Sequence, residues 1–222
     1  MRVPGQSDAL RYHNLHFETD WGTPTEICLE NHKSRHKTGK IYGVGLSMGG
    51  QFIARAAAQK PNLFNGIVLW NYFPDLIDAY KQNIPIFLHR YLNKSGFPKI
   101  WEYTVGKVVA LDKLISWRTE HVKFTFGADT LNQLISRASD FDEKDWPKNI
   151  TCDTLIFISK NDDTYNPNLG RAFTEKLTNA KSVETKIFSA DEGGGLHCQC
   201  GAYYLSLDSL FEWLNQRKFL YD

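Results

Sequence analysis

The sequence predicts an α/β fold, in which helices cover a parallel β-sheet. Short apolar runs lie at residues 41–46, 67–70 and 155–158, and stretches with helical character separate them. Continuous apolar runs of this length are typical of parallel strands with helices on both faces. The alternation of such runs with helical segments is the pattern of an α/β domain.

Length and composition agree with one globular domain. The chain has 222 residues, of which 42% are hydrophobic, so a sizeable core can be buried in a single domain spanning residues 1–222. Lys and Arg total 26 against 25 Asp and Glu, which gives a net charge of +1. The sequence therefore lacks the excess of basic residues that is typical of proteins that bind nucleic acid or an anionic membrane. We therefore expect a small-molecule partner.

Neither a secretion signal nor a membrane span is visible in the sequence. The first residues lack the apolar core of a signal peptide, and no apolar run has the length needed to cross a bilayer. The four cysteines are too few and too irregularly spaced for a disulfide framework. We expect a cytoplasmic protein with free thiols.

The first apolar run leads into a sharp change of local structure. Residues 41–46 are followed by Ser47 and then by an Ala-rich segment at residues 51–59, which predicts a strand, a tight turn and a helix. Residues 183–188 are a weaker strand candidate. A final helix is predicted by apolar side chains at helical spacing, which are Tyr203, Leu207, Leu210, Phe211 and Leu214.

A long stretch at about residues 72–150 separates the second and third apolar runs. It contains helix-like pieces broken by prolines, whereas an ordinary crossover between parallel strands needs far fewer residues. We interpret part of it as a cap-like helical insertion that covers the site. Its Phe, Tyr and Trp side chains either line an apolar substrate pocket or belong to the core, and the sequence favours neither reading.

The pentad from Gly45 to Gly49 matches G-x-S-x-G, the nucleophile elbow of the α/β-hydrolases. In that motif the serine, here Ser47, lies at a strained strand-to-helix turn that exposes its hydroxyl. We expect glycine at both flanking positions because side chains would collide in so tight a turn. The backbone N–H of Met48 is the predicted oxyanion-hole donor.

Two other interpretations fit this segment less well. Gly43-Val44-Gly45 begins a G-x-G-x-x-G dinucleotide pattern, but Met48 replaces the third glycine. Asn71 also follows the next strand, where that pattern needs an acidic residue to bind a ribose hydroxyl. The remaining alternative is a glycine-rich turn with an incidental serine. The sequence therefore predicts no nucleotide cofactor.

An acid and a histidine follow in the order serine, acid, histidine that α/β-hydrolases use. The histidine must accept the serine proton, and a carboxylate must orient that histidine. Asp162 and Asp163 come directly after the run at 155–158. Asp163 is the preferred acid because its distance to Pro167 resembles the D-x-x-x-P spacing of the superfamily, and Asp162 is the alternative. His197 lies between the last strand candidate and the final helix, where the superfamily's catalytic histidine falls.

Other readings of these residues are weaker. The loop with the two aspartates could be a plain surface turn. The segment His197-Cys198-x-Cys200 could belong to a metal cluster, but structural zinc sites space their cysteines by two to four residues and need a fourth ligand. We predict no metal. The other histidines, which lack a comparable placement, are His13, His16, His32, His36, His89 and His121.

Further motifs point to a narrower group. Residues 2–11 and 17–21 read as D-x-P-G-Q-G-E-A-L-R and F-x-x-D-W segments, with Ser7 in place of the second glycine. Residues 192–199 (E-G-G-G-L-H-C-Q) and 211–214 (F-E-W-L) look like the E-x-G-x-x-x-H-C-Q and F-D-W-L segments of one family. This set resembles the hydrolases similar to 2,6-dihydropseudooxynicotine hydrolase, which include fungal enzymes that shorten polyketides. The resemblance implies hydrolysis of an ester-type or carbon–carbon acyl bond in a small, fairly apolar, polyketide-like substrate.

The resemblance also implies a partial α/β-hydrolase fold that holds strands five to eight of the parallel sheet. In the family, the segment matched by residues 2–11 follows strand four. The run at 41–46 would then keep an unpaired apolar edge, which is a template for pairing with another chain, so we expect homo-oligomers. The second oxyanion-hole donor would be absent, and a weak or inactive homologue that acts in binding or assembly is the alternative function.

Overall fold

The computed structural model describes residues 4–72, 74–81, 84–142 and 145–217. The chain divides into two compact units. One unit holds Met1–Thr19 and Asp75–Asp142, and the other holds Asp20–Pro74 and Glu143–Asp222. The prediction of a single domain with a cap over the site stays a prediction.

The second unit is built on a parallel sheet. Among the described residues the strand order is β1-β2-β3-β4, and every neighbouring pair is parallel. The predicted α/β fold is confirmed, and the weak strand candidate at residues 183–188 is a real strand. The elements of this unit are α2 (Gly22–Lys33), β1 (Tyr42–Leu46), α3 (Met48–Gln59), β2 (Gly66–Trp70), β3 (Asp153–Ser159), α8 (Pro167–Lys176), β4 (Ser182–Phe188) and α9 (Tyr203–Gln216).

Strands β2 and β3 form the centre of the sheet because every residue in them is buried. Side chains alternate between the two faces of a strand, so each face has its own core. One core lies under α9 and contains Val68, Trp70, Leu155, Phe157, Phe188, Leu210, Trp213 and Leu214. On the other face, a Cβ atom at Gly170 of α8 would lie 3.3 Å from the Ile158 side chain, so α8 packs closely against β3.

The two outer strands of the described sheet differ in character. Strand β4 exposes the apolar side chains Val183 and Ile187, but Glu184 and Lys186 lie between them, and charged residues of this kind discourage pairing with another chain. Strand β1 instead exposes Val44 and Leu46, whose exposed fractions are 40% and 45%. The predicted apolar strand at residues 41–46 is therefore outermost and partly uncovered among the described residues.

The first unit is helical. Asp112 caps α6 by accepting hydrogen bonds from the N–H groups of Leu114 and Ile115, and Gly127 ends that helix with a φ of 66°. Phe126 and Phe141 are buried, as expected of core aromatics, while Trp117 is exposed, and the pocket-lining role stays a prediction. The α-helices of this unit are α1 (Ser7–His13), α4 (Leu76–Lys81), α5 (Lys99–Val109), α6 (Lys113–Phe126) and α7 (Leu131–Ala138).

Within the described ranges, none of the helices combines the length and the apolar character that crossing a bilayer requires.

Candidate active site

Ser47 lies between β1 and α3 in a strained backbone conformation. Its φ is 52° and its ψ is −121°, values that non-glycine residues rarely adopt and that often occur at functional positions. Its N–H donates to the Trp70 carbonyl at the end of β2, over 2.8 Å, and its carbonyl accepts from the Gly50 N–H. These bonds hold the turn against the sheet, as the elbow motif predicts.

The two flanking glycines of the motif are not equivalent. A Cβ atom at Gly45 would lie 2.2 Å from the Gly49 carbonyl oxygen, so only glycine fits without a backbone shift. A Cβ atom at Gly49 would meet nothing within 4 Å. The prediction that both glycines avoid a collision is therefore correct for Gly45 and wrong for Gly49. The crowding arises because the first turn of α3 passes over β1 at Gly45.

Met48 is the first residue of α3. A helix leaves its first N–H groups without an intrahelical acceptor, so the Met48 N–H is available for an oxyanion next to Ser47.

His197 connects the serine to a carboxylate. It follows the glycine-rich loop after β4 and opens a short 3-10 turn, His197–Gln199. Its Nε2 atom is 2.8 Å from Ser47 Oγ, and its Nδ1 atom is 2.7 Å from Asp162 Oδ2. In the neutral imidazole, Nδ1–H donates to the Asp162 carboxylate and Nε2 accepts the hydrogen bond of the serine hydroxyl. The structure thus brings Ser47 and His197 together.

The acid in contact with His197 is Asp162, and the preference for Asp163 has to be corrected. The Asp162 side chain is fully buried. Its Oδ1 atom accepts from the N–H groups of Thr164 and Tyr165, which folds the loop around the carboxylate and turns it inward. Asp163 is exposed, with the Thr164 hydroxyl 3.5 Å from its Oδ1 atom. Spacing to Pro167 did not reveal this local turn.

Side chains that the sequence did not single out surround the Asp162 carboxylate. The Asn71 amide donates to Asp162 Oδ2 over 2.8 Å, and Gln199 donates to Asn71 Oδ1 over the same distance. Asn71 was noticed only as a misfit in a dinucleotide site, and Gln199 only as part of the H-C-Q segment. Their chemical role had no local signal, because 128 residues separate them in the chain.

The environment of His197 favours its protonated form. Burial lowers the pKa of His197, but the hydrogen bond to Asp162 and the neighbouring Cys198 thiol raise it, and the net pKa lies above the ordinary value of 6.5. The Tyr165 ring packs edge-on against the imidazole at 6.1 Å. Burial and the Asp162 charge raise the pKa of Tyr165 far above its ordinary value, so this phenol stays neutral.

The described part of the chain contains no cluster of three or more His, Cys, Asp or Glu residues that could hold a metal ion.

Comparison with known proteins finds similarity to fungal hydrolases. No family model matches the sequence. Hydrolase acrC of Aspergillus aculeatus is 22% identical over 224 residues, and the alignment covers 96% of this chain and 52% of acrC. The 20-hydroxy-prefusarin hydrolase FUS2 of Gibberella moniliformis is 24% identical over 223 residues, with 96% and 53% covered. The chain spans about half the length of the curated relatives it matches.

A solved structure supports the fold. The crystal structure of 2,6-dihydroxy-pseudo-oxynicotine hydrolase matches with a TM-score of 0.55 and 18% identity, over 89% of this chain and 46% of that chain. At 18% identity, this similarity supports a conclusion about the fold alone. The parallel sheet, the strand–serine–helix turn and these likenesses together show that the chain has the α/β-hydrolase fold and is similar to fungal hydrolases over about half of their length.

Proposed function

We propose that this chain is a serine hydrolase in which Ser47 is the nucleophile, His197 the general base and Asp162 the acid that orients it. The observation that carries the proposal is the unbroken chain of hydrogen bonds from the Ser47 hydroxyl through His197 to Asp162. These distances lie in the range that nucleophile activation requires. The order along the chain, serine, aspartate and histidine, is that of the α/β-hydrolases.

The reaction then proceeds in two halves. The Ser47 oxygen attacks the carbonyl carbon of the substrate and passes its proton to His197 Nε2, while the Met48 N–H donates to the developing oxyanion. His197 returns that proton to the leaving group, which departs and leaves an acyl-enzyme. Water, deprotonated by His197, attacks the ester carbonyl and releases the acid and the free serine.

We further propose a small, fairly apolar, polyketide-like substrate that is cleaved at an ester or at a carbon–carbon bond next to a carbonyl. The support is the printed name of one relative, a hydrolase of 20-hydroxy-prefusarin, and the resemblance of the H-C-Q segment. In carbon–carbon cleavage the leaving group is a carbanion stabilised by the second carbonyl, and the His197 proton goes to that carbon. The same three side chains serve both reactions.

A fluorophosphonate probe tests the nucleophile. The unaltered chain and Ser34→Ala, a change at an exposed serine of the same unit, should be labelled, whereas Ser47→Ala and His197→Ala should not. A folded chain that is not labelled would count against the proposal. Mass spectrometry of the products from a β-diketone and a matched ester then separates the two types of bond cleavage.

A second candidate function is association through β1. Its support is the exposure of Val44 and Leu46 on an outermost strand with no charged residue between them, whereas Glu184 and Lys186 separate the exposed Val183 and Ile187 of β4. Val44→Lys should abolish self-association measured by sedimentation equilibrium. Val183→Lys, the same change at a partly exposed position of β4, should leave it intact. Ser47→Ala should not affect association, which separates this function from catalysis.

A further inference from the structure

A buried network of amide and hydroxyl groups lies behind Asp162. Gln199 is fully buried, and its Nε2 atom donates to Asn71 Oδ1 over 2.8 Å and to Ser159 Oγ over 2.6 Å. Its Oε1 atom accepts from the Ser206 hydroxyl of α9 over 2.6 Å. The polar hydrogens and oxygen of the Gln199 amide therefore all have partners.

The direction of every bond in this network is fixed. The Ser159 hydroxyl donates to the Leu196 carbonyl over 2.6 Å, so its oxygen is left to accept from Gln199. Gln199 must then present its N–H groups to Asn71, and Asn71 must turn its own N–H groups toward Asp162. The bonds from Ser206 through Gln199 and Asn71 thus point toward the carboxylate, while the branch through Ser159 ends on the Leu196 carbonyl.

The carboxylate receives four donors in total. Asp162 Oδ2 accepts from Asn71 and His197, and Oδ1 accepts from the N–H groups of Thr164 and Tyr165. Four donors fill the acceptor sites of an ionised carboxylate, and none of these partners offers an oxygen to an acidic proton. The arrangement holds the Asp162 carboxylate in one orientation.

We infer that Asn71 and Gln199 are positioning residues that hold Asp162 as the acceptor for His197 Nδ1. The inference rests on the proposed catalytic role of His197 and deepens it. Neither residue touches Ser47, and each acts through its neighbour in the network. Both adopt left-handed backbone conformations, with φ values of 49° and 51°, which non-glycine residues adopt only where the surroundings enforce it.

The alternative role for these side chains is to fill the core with satisfied polar groups. The two roles differ in their effect on His197. If the network orients Asp162, replacing the donor at residue 199 by an acceptor should change the hydrogen bond and the titration of His197. If the network only fills space, the same replacement should change the stability of the fold and leave the hydrogen bond between His197 and Asp162 as it is. The titratable groups that face His197 are Asp162, Tyr165 and Cys198, and none of them is altered in the test.

The test is Gln199→Glu. The new carboxylate can only accept, so Asn71 must turn its N–H groups toward it and face Asp162 with its own carbonyl oxygen. That repulsion weakens the hydrogen bond between Asp162 and His197. Imidazole-¹⁵N NMR should show a weakened low-field Nδ1 proton and a shifted His197 titration. Because the added negative charge alone would raise the His197 pKa, the loss of the Nδ1 signal is the readout that identifies the positioning role. The alkaline plateau of the fluorophosphonate labelling rate should fall about tenfold.

Gln216→Glu is the matched control, because it adds the same charge at an exposed position of α9. It should leave both the His197 titration and the labelling plateau as in the unaltered chain. A folded Gln199→Glu chain with an unchanged Nδ1 proton signal would overturn the inference. If Gln199→Glu does not fold, Ser206→Ala removes only the last donor, and an unchanged His197 titration in that variant overturns the inference equally.

The two proposals fail in different ways. A chain that takes up no fluorophosphonate contradicts the hydrolase proposal, yet His197 still titrates and still reports on the network. A labelled chain whose His197 Nδ1 proton signal is unchanged by Gln199→Glu keeps the hydrolase proposal and loses the positioning role.

Discussion

Replacing Gly45 by alanine should damage the active site through the backbone. The added Cβ atom would lie 2.2 Å from the Gly49 oxygen, 2.5 Å from the Gly49 carbon and 2.6 Å from the Gly50 nitrogen. All three are backbone atoms of the first turn of α3, so the clash cannot be relieved by rotating a side chain. Ordinary van der Waals contact begins at 3.4 Å, and β1 and α3 must therefore separate by about 1 Å.

That displacement falls on the residue between the two elements. Ser47 Oγ is 2.8 Å from His197 Nε2, and a misplacement of about 1 Å typically costs about 10²-fold in rate. Overpacking of this kind also destabilises a fold by about 1–3 kcal/mol, which lowers the Tm by about 2–12 °C for a chain of this size. We expect Gly45→Ala to lose about 10²-fold in the rate of fluorophosphonate labelling and to unfold earlier in a thermal scan.

The neighbouring glycine supplies the contrast. A Cβ atom at Gly49 meets nothing within 4 Å, and alanine in a helix is more stable than glycine by about 0.5–1 kcal/mol. Gly49→Ala should therefore fold with equal or higher Tm and label faster than Gly45→Ala. If the two variants unfold at the same temperature and label at the same rate, the steric argument is refuted.

Three more predictions concern charged groups. Asp162→Asn should lower the labelling rate by up to about 10⁴-fold, as expected when the orienting carboxylate of a triad becomes an amide. Asp163→Asn, a change at an exposed residue, should label at nearly the rate of the unaltered chain. Equal losses in the two variants would contradict the assignment of Asp162. Because the pKa of His197 is raised, the labelling rate should rise with pH along a limb centred above 6.5, and a limb below 6.5 would contradict the hydrogen bond to Asp162. Burial of Asp153 opposes its ionisation, but hydrogen bonds from Ser182 and Lys181 lower its pKa below the ordinary 3.8. Its charged form therefore stabilises the fold above that pH, and this contribution is lost as the pH falls through the lowered pKa. At neutral pH, denaturant unfolding should give Asp153→Asn a lower free energy of unfolding than the exposed control Asp191→Asn, and this difference should disappear in acid. A difference that persists in acid would indicate a packing effect instead.

Local patterns predicted the parts of this structure that depend on neighbouring residues in the chain. The strand, turn and helix around Ser47 form a contiguous segment, and the position of His197 before the last helix follows from the order of elements. The choice between Asp162 and Asp163 depended on an inward turn closed by two backbone N–H groups, which spacing alone does not encode. The roles of Asn71 and Gln199 depend on a contact between distant loops, so the sequence offered no sign of them.

The sheet unit is assembled from two separate stretches of chain, and this has a consequence for its synthesis. The Ser47–His197 hydrogen bond joins residues 150 positions apart. At roughly 5–20 residues per second on the ribosome, about 8–30 seconds separate the appearance of these two residues. For more than half of that interval β1 and β2 exist without β3, and their apolar surface is uncovered. A nascent chain of this protein should therefore depend on chaperones until β3 has emerged.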